Sequence, residues 1–391
     1  MGNVRYTVER NEMMTFILRV LNYTTANAAI YVKYLRKQYY IYRKISNIYK
    51  RIDHSKRLQN SLKLYREKWS ILSKFVFSKY YRVYSSISGK DTINYVPENI
   101  YYLIIEPRLN DTSLSRAYAD KNSYDKLPFS TLFPKTCIRN IDGVFYDQKY
   151  NYISLNRHEE LLTILEHFAA PKVILKPSVE SQGGRNIELF SKDNGVYRNV
   201  DNDMLDINFL QTYRDKNYIV QEAIEQHPFY MQLNSSSLNT VRVFTYRSTS
   251  TEDVAVLHCV VRMGMKGSVT DNQSAGGISC GIDESGKLND FAVNKKGDIL
   301  RYMNEGDGIS FGSIGNPYKL NEIKEMAKEC AMYFHYHRIL SFDFCVDKKG
   351  DVRLIEINND DMGINFLQMN NGPLFGKYTD EVIEYCKNNQ K

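Results

Sequence analysis

Asp343, Glu356 and Asn358 are the residues whose types and spacing point most directly to chemistry. They fall in Ser341–Asp360, SFDFCVDKKGDVRLIEINND, where Phe342, Phe344 and Val346 alternate with polar or small residues, and Val352 and Leu354 do the same further on. Period-two alternation on both sides of a Lys-Lys-Gly-Asp turn predicts a β-hairpin. A four-residue loop, Lys348 to Asp351, would pair Asp347 with Val352 and set Asp343 opposite Glu356, with Asn358 diagonal to it on the same face. Two facing carboxylates repel, so their placement needs a reason, and a hard cation is the simplest. Mg²⁺ takes one or two carboxylates and fills its octahedron with water and phosphate oxygens. A polar, solvated sheet face with no ion is the competing reading.

A second group of residues lies upstream. Lys172–Lys176 (KVILK) reads as a strand, followed by Pro177, the loop SVESQGG and a second strand from Asn186 to Phe190. A lysine at a strand end beside Ser178, Ser181, Gly183 and Gly184 suits a phosphate, because glycines let backbone N–H groups approach while the ammonium supplies charge. The order of parts is not that of a Walker A loop, and a plain hairpin fits the same residues. Tyr218–Ala223 (YIVQEA) is an apolar strand ending in Gln221 and Glu222. Thr240–Arg247 puts Val241, Val243 and Thr245 on one face and Arg242 on the other; Val254–Met263 reads as a central strand, and Asp271, Asn272, Gly276 and Gly277 follow in a loop.

The elements that must carry these residues are legible more coarsely. Tyr101–Ile105 reads as a buried strand, Glu159–Phe168 as a short amphipathic helix and Asn321–Leu340 as a longer one. From Asn11 to Tyr84 there is neither Pro nor Gly, which predicts two or three helices, one with Tyr31, Tyr34, Leu35, Gln38 and Tyr42 along a face. Residues 1–90 hold 19 Lys and Arg against four acids, so the whole chain's +7 leaves the remainder acidic at −8. Such basic, aromatic helices suit an anionic membrane surface or an acidic polymer, and equally a helical appendage with a solvated face. No nucleic-acid reading motif accompanies the charge, so no nucleic-acid partner is expected. The expected boundaries are a basic helical region 1–90, a small α/β region 91–170, a glycine-loop subdomain 171–225 and a C-terminal catalytic subdomain 226–391.

Composition narrows the setting. With 391 residues and 43% hydrophobic content the chain is globular and long enough for several domains. The six cysteines form no CxxC pair, which argues against a disulfide framework or zinc site and for a reducing, cytoplasmic setting. No apolar run reaches the ~20 residues of a spanning helix, and neither a secretory signal nor an N-myristoylation pattern is expected.

Taken in order, ILKPSVESQGGRNI, IVQEAIEQHP, LNTVRVFT, DNQSAGGISCGID, SFDFCVD, LIEINND and LQMNNGPL resemble the ATP-grasp superfamily, and within it the sugar-transfer associated branch, over about Asp91–Lys391. The resemblance implies an α+β ATP-grasp fold, two lobes sandwiching a nucleotide, with the basic helices as an N-terminal extension. On the matching positions, Lys176 and Lys121 would contact phosphates, with Ser181, Gly183 and Gly184 closing over them. Gln221, Glu222, Ala223 and Ile224 would form the adenine hinge, and His227 stands where the family often has a ribose-binding acid. Asp343, Glu356 and Asn358 would ligate Mg²⁺, one ion or two, while Arg242 meets the transferring group. Arg262, Asn272, Gly276 and Gly277 would contact substrate. The implied reaction is ADP-forming carboxylate–amine ligation through an acyl phosphate, serving surface or capsular polysaccharide synthesis or modification at the cytoplasmic face of the membrane. A kinase acting on a sugar or lipid hydroxyl, or a non-catalytic polyanion or membrane adaptor, are the alternatives.

Overall fold

The computed structural model describes residues 28–52, 59–154, 158–179, 186–213, 216–265, 267, 271, 276–303 and 308–389. The chain divides into two compact units, one of residues 1–105 with 372–391 and the other of residues 106–371.

In the first unit, helices α1 (Ala28–Tyr49), α2 (Gln59–Ser70) and α3 (Ser78–Ser88) pack through an aromatic interior. Trp69, Tyr65, Tyr80, Tyr81 and Tyr84 are buried, and Tyr84 donates to the buried Glu98 carboxylate at 2.8 Å. The buried face of α1 is Gln38, Ile41, Ile45 and Ile48; Leu35 and Tyr42 are only half-buried, and the side chains of Tyr31 and Tyr34 lie outside the described residues. β-Branched isoleucines at i, i+4 and i+7 thus carry the inward stripe on from Gln38, a residue of the expected face. Tyr101–Ile105, expected as a strand, is a π-helical turn continuing the helix begun at Glu98. A five-residue apolar run has no period by which to tell the two apart.

The second unit holds two antiparallel sheets. The first has six strands: β1 (Thr136–Ile141), β2 (Val144–Asp147), β3 (Lys172–Pro177), β4 (Glu188–Asp193), β5 (Val196–Arg198) and β6 (Tyr218–Glu222), ordered β2-β1-β6-β3-β4-β5. Strands from both sides of residue 170 thus share one sheet. Helix α4 (His158–His167) and residues such as Val173, Leu175, Phe190 and Val220 build its core.

The second sheet has seven strands: β7 (Thr240–Arg247), β8 (Val254–Met263), β9 (Ile278–Ile282), β10 (Leu288–Asn294), β11 (Ile299–Leu300), β12 (Ile339–Val346) and β13 (Val352–Asn358), ordered β11-β10-β9-β8-β7-β12-β13. One face packs Val241, Val243, Val261, Phe342 and Phe344 with Ile323 and Ala327 of helix α5 (Leu320–Ala331). The expected extension of this helix to Leu340 does not form; it stops once the amphipathic repeat ends, Met332 and Tyr333 lying exposed before β12 begins. The other face carries the charged residues. At its far end helix α6 (Asn365–Asn371) sits so close that a Cβ on Gly281 would lie 2.1 Å from Asn371 Oδ1 and 2.3 Å from Asn289 Nδ2, so a larger residue there would force both side chains to shift.

The β12–β13 hairpin keeps the expected Asp343–Glu356 pair by an unexpected route. Its tip pairs Val346 with Val352, one residue out of the anticipated register, and continues Cys345–Arg353 and Phe344–Leu354. A bulge then restores the count, so Asp343 faces Glu356 and Ser341 faces Asn358. Without the extra residue, Ile355, Glu356 would point to the opposite face.

Candidate active site

Strand pairing alone brings Arg242, Asp343 and Glu356 into one row, since Asp343 lies between Arg242 on β7 and Glu356 on β13. Arg242 donates to both Asp343 oxygens, Nε to Oδ1 and Nη2 to Oδ2, each at 2.6 Å. Arg262, one strand further out on β8, adds Nη1 to Oδ2 at 2.9 Å. Burial alone would raise the Asp343 carboxyl, but the two guanidinium groups outweigh it and hold it below the usual carboxylate range. Glu356 accepts Lys121 Nζ at 2.7 Å, and this ammonium likewise overcomes the effect of burial and keeps the carboxyl low. The facing carboxylates are thus balanced by three cations of the chain itself.

Lys121 arrives from a 3-10 turn, Lys121–Lys126, and its backbone N–H bonds Ser178 O at 3.0 Å, which brings it beside the end of β3. That turn is clamped by Arg139, a fully buried side chain. Arg139 donates to Asn122 O at 2.6 Å and to Asp125 at 2.5 Å, with Tyr150 stacked 3.8 Å from its guanidinium. Arg139→Met should therefore cost about 3–5 kcal/mol, the toll of leaving a part-buried carboxylate and carbonyls without their donor. A lowered denaturation midpoint at unchanged slope is the check.

Lys176, at the end of β3, is 6% exposed, and its ammonium makes no hydrogen bond or ion pair among the described residues. Burial, and then the neighbouring Lys121 ammonium, push its pKa down to about 8, with Glu356 offsetting part of the change. A buried cation that shares the Glu356 charge with Lys121 is costly, and an anion placed beside it would be stabilised.

The expected hinge residues are engaged in structure. Gln221 Nε2 donates to Pro134 O at 3.3 Å, the Glu222 carboxylate accepts from Arg353 at 2.9 Å and from Lys135 N at 2.9 Å, and Ala223 N bonds Lys172 O at 2.9 Å. Ile224 is half-buried after β6. His227 caps the short helix Pro228–Met231 and stacks on Tyr318 with centroids 4.2 Å apart. Gly277 is buried and Gly276 sits at φ 98°, a conformation that favours glycine. Ser181, Gly183, Gly184 and Asn272 lie outside the described residues.

Asp271 is not among the expected site residues, yet it is buried in this cluster. Its carboxylate accepts the Thr240 hydroxyl and lies 3.4 Å from Arg262 Nη2. Burial raises its carboxyl despite Arg262. The signal available in the sequence is an acid directly before Asn272, which alone does not distinguish a loop turn from a site.

For a divalent ion, the donor set is two carboxylates and the Asn358 amide on one face, hard oxygen ligands that fit Mg²⁺ sharing its shell with water and phosphate. Among the described residues no group of three or more His, Cys, Asp or Glu forms a cage of its own.

The sugar-transfer associated ATP-grasp family matches residues 104–382, and the chain belongs to it. The two antiparallel sheets flanked by helices are its ATP-grasp fold. No curated protein matches. Among solved structures, the biotin carboxylase domain of Hydrogenobacter thermophilus 2-oxoglutarate carboxylase, with MgADP, ADP and bicarbonate, is 13% identical at TM-score 0.40, over 70% of this chain and 46% of that one. The D-alanine–D-alanine ligase of Coxiella burnetii is 9% identical at TM-score 0.37, over 70% and 58%. The N5-carboxyaminoimidazole synthase of Aspergillus clavatus, with ADP and 5-aminoimidazole ribonucleotide, is 11% identical at TM-score 0.35, over 68% and 53%. The chain spans about half the length of these proteins. Among the described residues no helix is long and apolar enough to cross a membrane.

Proposed function

We propose that this protein is an ATP- and Mg²⁺-dependent ligase that activates a carboxylate as an acyl phosphate and couples it to an amine. The observation that carries the reading is Lys176: a buried ammonium without a partner among the described residues, beside Lys121 and facing the Arg242–Asp343–Glu356 row. Four cations, Lys121, Lys176, Arg242 and Arg262, gather there around Asp343, Glu356 and Asp271, which suits a triphosphate. Asp343, Glu356 and Asn358 would hold Mg²⁺, whose chemistry there is to neutralise phosphate charge.

In this scheme the substrate carboxylate attacks the γ-phosphorus and the bond to the β-phosphate oxygen breaks, leaving acyl phosphate and ADP. The amine then attacks the acyl carbon and inorganic phosphate departs, the ammonium proton passing to solvent or phosphate. Lys176 and Lys121 hold the phosphates, and Arg242 follows the charge on the transferring group. Ser181, Gly183 and Gly184 complete the phosphate enclosure; Gln221 to Ile224 and His227 bound the nucleoside; and Arg262, Asn272, Gly276 and Gly277 meet the acid or amine. The acceptor we favour is an anionic surface or capsular glycan, worked on in the cytoplasm or at the inner membrane face. The cation excess of residues 1–90 supports this.

Hydroxylamine trapping tests the chemistry. With ATP, Mg²⁺ and a panel of candidate acids, ligation predicts a hydroxamate seen by mass spectrometry alongside ADP. A stable phosphoester with no hydroxamate would mean a kinase instead, and absence of any ATP turnover would favour an adaptor.

A further inference from the structure

Asp343 is the residue on which the nucleotide reading and the structure meet awkwardly. Its two oxygens already accept three guanidinium bonds, two of them on Oδ2, from Arg242 Nη2 at 2.6 Å and Arg262 Nη1 at 2.9 Å. A carboxylate offers about four lone-pair sites, and the Asn358 amide lies against it as well. A divalent ion can use Oδ2 only if a guanidinium yields.

The two arginines differ in what else can hold them. Arg242 is bidentate on Asp343, its guanidinium lies 5.9 Å from the Phe366 ring, and Glu356 and Asp271 act on it through their charge with no ion-pair contact to it among the described residues. Arg262 lies between two carboxylates, with Nη1 on Asp343 and Nη2 3.4 Å from Asp271 Oδ1. Asp271 is itself fixed: it is 7% exposed, and its other oxygen takes the Thr240 hydroxyl from the strand position directly opposite Arg262. At 3.4 Å the Arg262–Asp271 contact is looser than the 2.9 Å bond to Asp343, so it can tighten as the other lets go.

We propose that Asp271 is a positioning residue that draws Arg262 off Asp343 and so frees Asp343 Oδ2 for the divalent ion that accompanies the nucleotide. This rests on the nucleotide reading above. Thr240 aims the Asp271 carboxylate, Arg262 changes partner between two buried carboxylates, and no charge is left uncompensated in either arrangement. Without Asp271, Arg262 would lose one of the two carboxylates it lies between and would lean more on Asp343, competing with the ion for it.

Mn²⁺ with ADP is the probe, its binding to the full-length protein followed by electron paramagnetic resonance, with ADP binding measured separately in the absence of metal. Asp271→Asn should weaken Mn²⁺ binding about 10-fold without lowering metal-free ADP affinity, since a negative charge beside the phosphates is lost; a general loss of structure would lower both. In an Arg262→Met background the same substitution should have little further effect, because the competitor is gone. Thr240→Val, which alters no charge, should shift Mn²⁺ affinity in the same direction by a smaller factor and serves if Asp271→Asn does not fold. Undiminished Mn²⁺ affinity in these variants, or a loss that persists without Arg262, would overturn the role of Asp271. A wild-type protein that binds no ADP would sink the nucleotide reading beneath it.

Discussion

Asp343→Ala should destabilise the protein by about 3–5 kcal/mol as well as abolish ATP turnover, whereas Glu356→Gln should abolish turnover at a cost of only about 1–2 kcal/mol. The difference follows from what each carboxylate holds. Asp343 is buried and takes three bonds from Arg242 and Arg262, so its loss removes Arg242's bidentate acceptor and one of the two carboxylates that hold Arg262. Glu356 is 30% exposed and holds the Lys121 ammonium at 2.7 Å; water reaches that pair and softens the loss. Both carboxylates are proposed ligands of one ion, so turnover should fall by at least about 100-fold in each variant. Denaturant midpoints separate the two stabilities, and ADP release compares the activities. An Asp343→Ala protein as stable as wild type would mean that the guanidinium groups find other partners and that the charge row is not structural.

Lys176→Met should act in opposite directions on stability and on binding. The Lys176 pKa falls from 10.5 to about 8 on folding, driven first by burial and then by Lys121. At pH 7 the ammonium is charged in both states, and its desolvation costs the folded protein roughly 3 kcal/mol, since each pH unit between the two values corresponds to about 1.4 kcal/mol. Between pH 8 and 10.5 the unfolded chain binds more protons at this site than the folded one, so this contribution makes stability rise with pH in that window. The methionine variant should therefore be more stable than wild type at pH 7, by up to that amount, and its advantage should shrink as pH climbs past 8. Its nucleotide affinity should drop about 100-fold, the loss of a charge-assisted contact of some 2–3 kcal/mol. Parallel melts from about pH 7 to 9.5, with nucleotide titrations, test both signs. A variant less stable than wild type at pH 7 would show that Lys176 already has a stabilising partner in the resting protein.

The seven-stranded sheet is readable from the sequence because each of its main strands satisfies a simple rule. β7 alternates around Arg242, β8 is a largely apolar run interrupted by His258 and Arg262, and the β12–β13 hairpin announces its turn with Lys-Lys-Gly-Asp. The Asp343–Glu356 pair follows, although the bulge at Ile355 does not; a bulge is set by how strands twist together and leaves no residue pattern of its own. Lys176 can be placed at a strand end, but its burial without a partner depends on Lys121 and Glu356 arriving from elements far apart in the chain. Asp271, Thr240 and Arg139 are hidden for the same reason. Each draws its meaning from a partner on another element: Arg262 for Asp271, and the Lys121 turn for Arg139. The π-helical turn at Tyr101–Ile105 reads as a strand because five apolar residues carry too little period to choose a geometry.

The central claim is that the buried cation cluster receives a triphosphate. Calorimetric titration of the wild-type protein with MgADP or a non-hydrolysable ATP analogue at about pH 8.5, in two buffers of different ionisation enthalpy, measures it most directly. A phosphate arriving beside Lys176 should lift its pKa back above that pH, so binding should take up a fraction of a proton, and Lys176→Met should abolish that uptake. No binding, or binding with the same proton count in wild type and Lys176→Met, would contradict it.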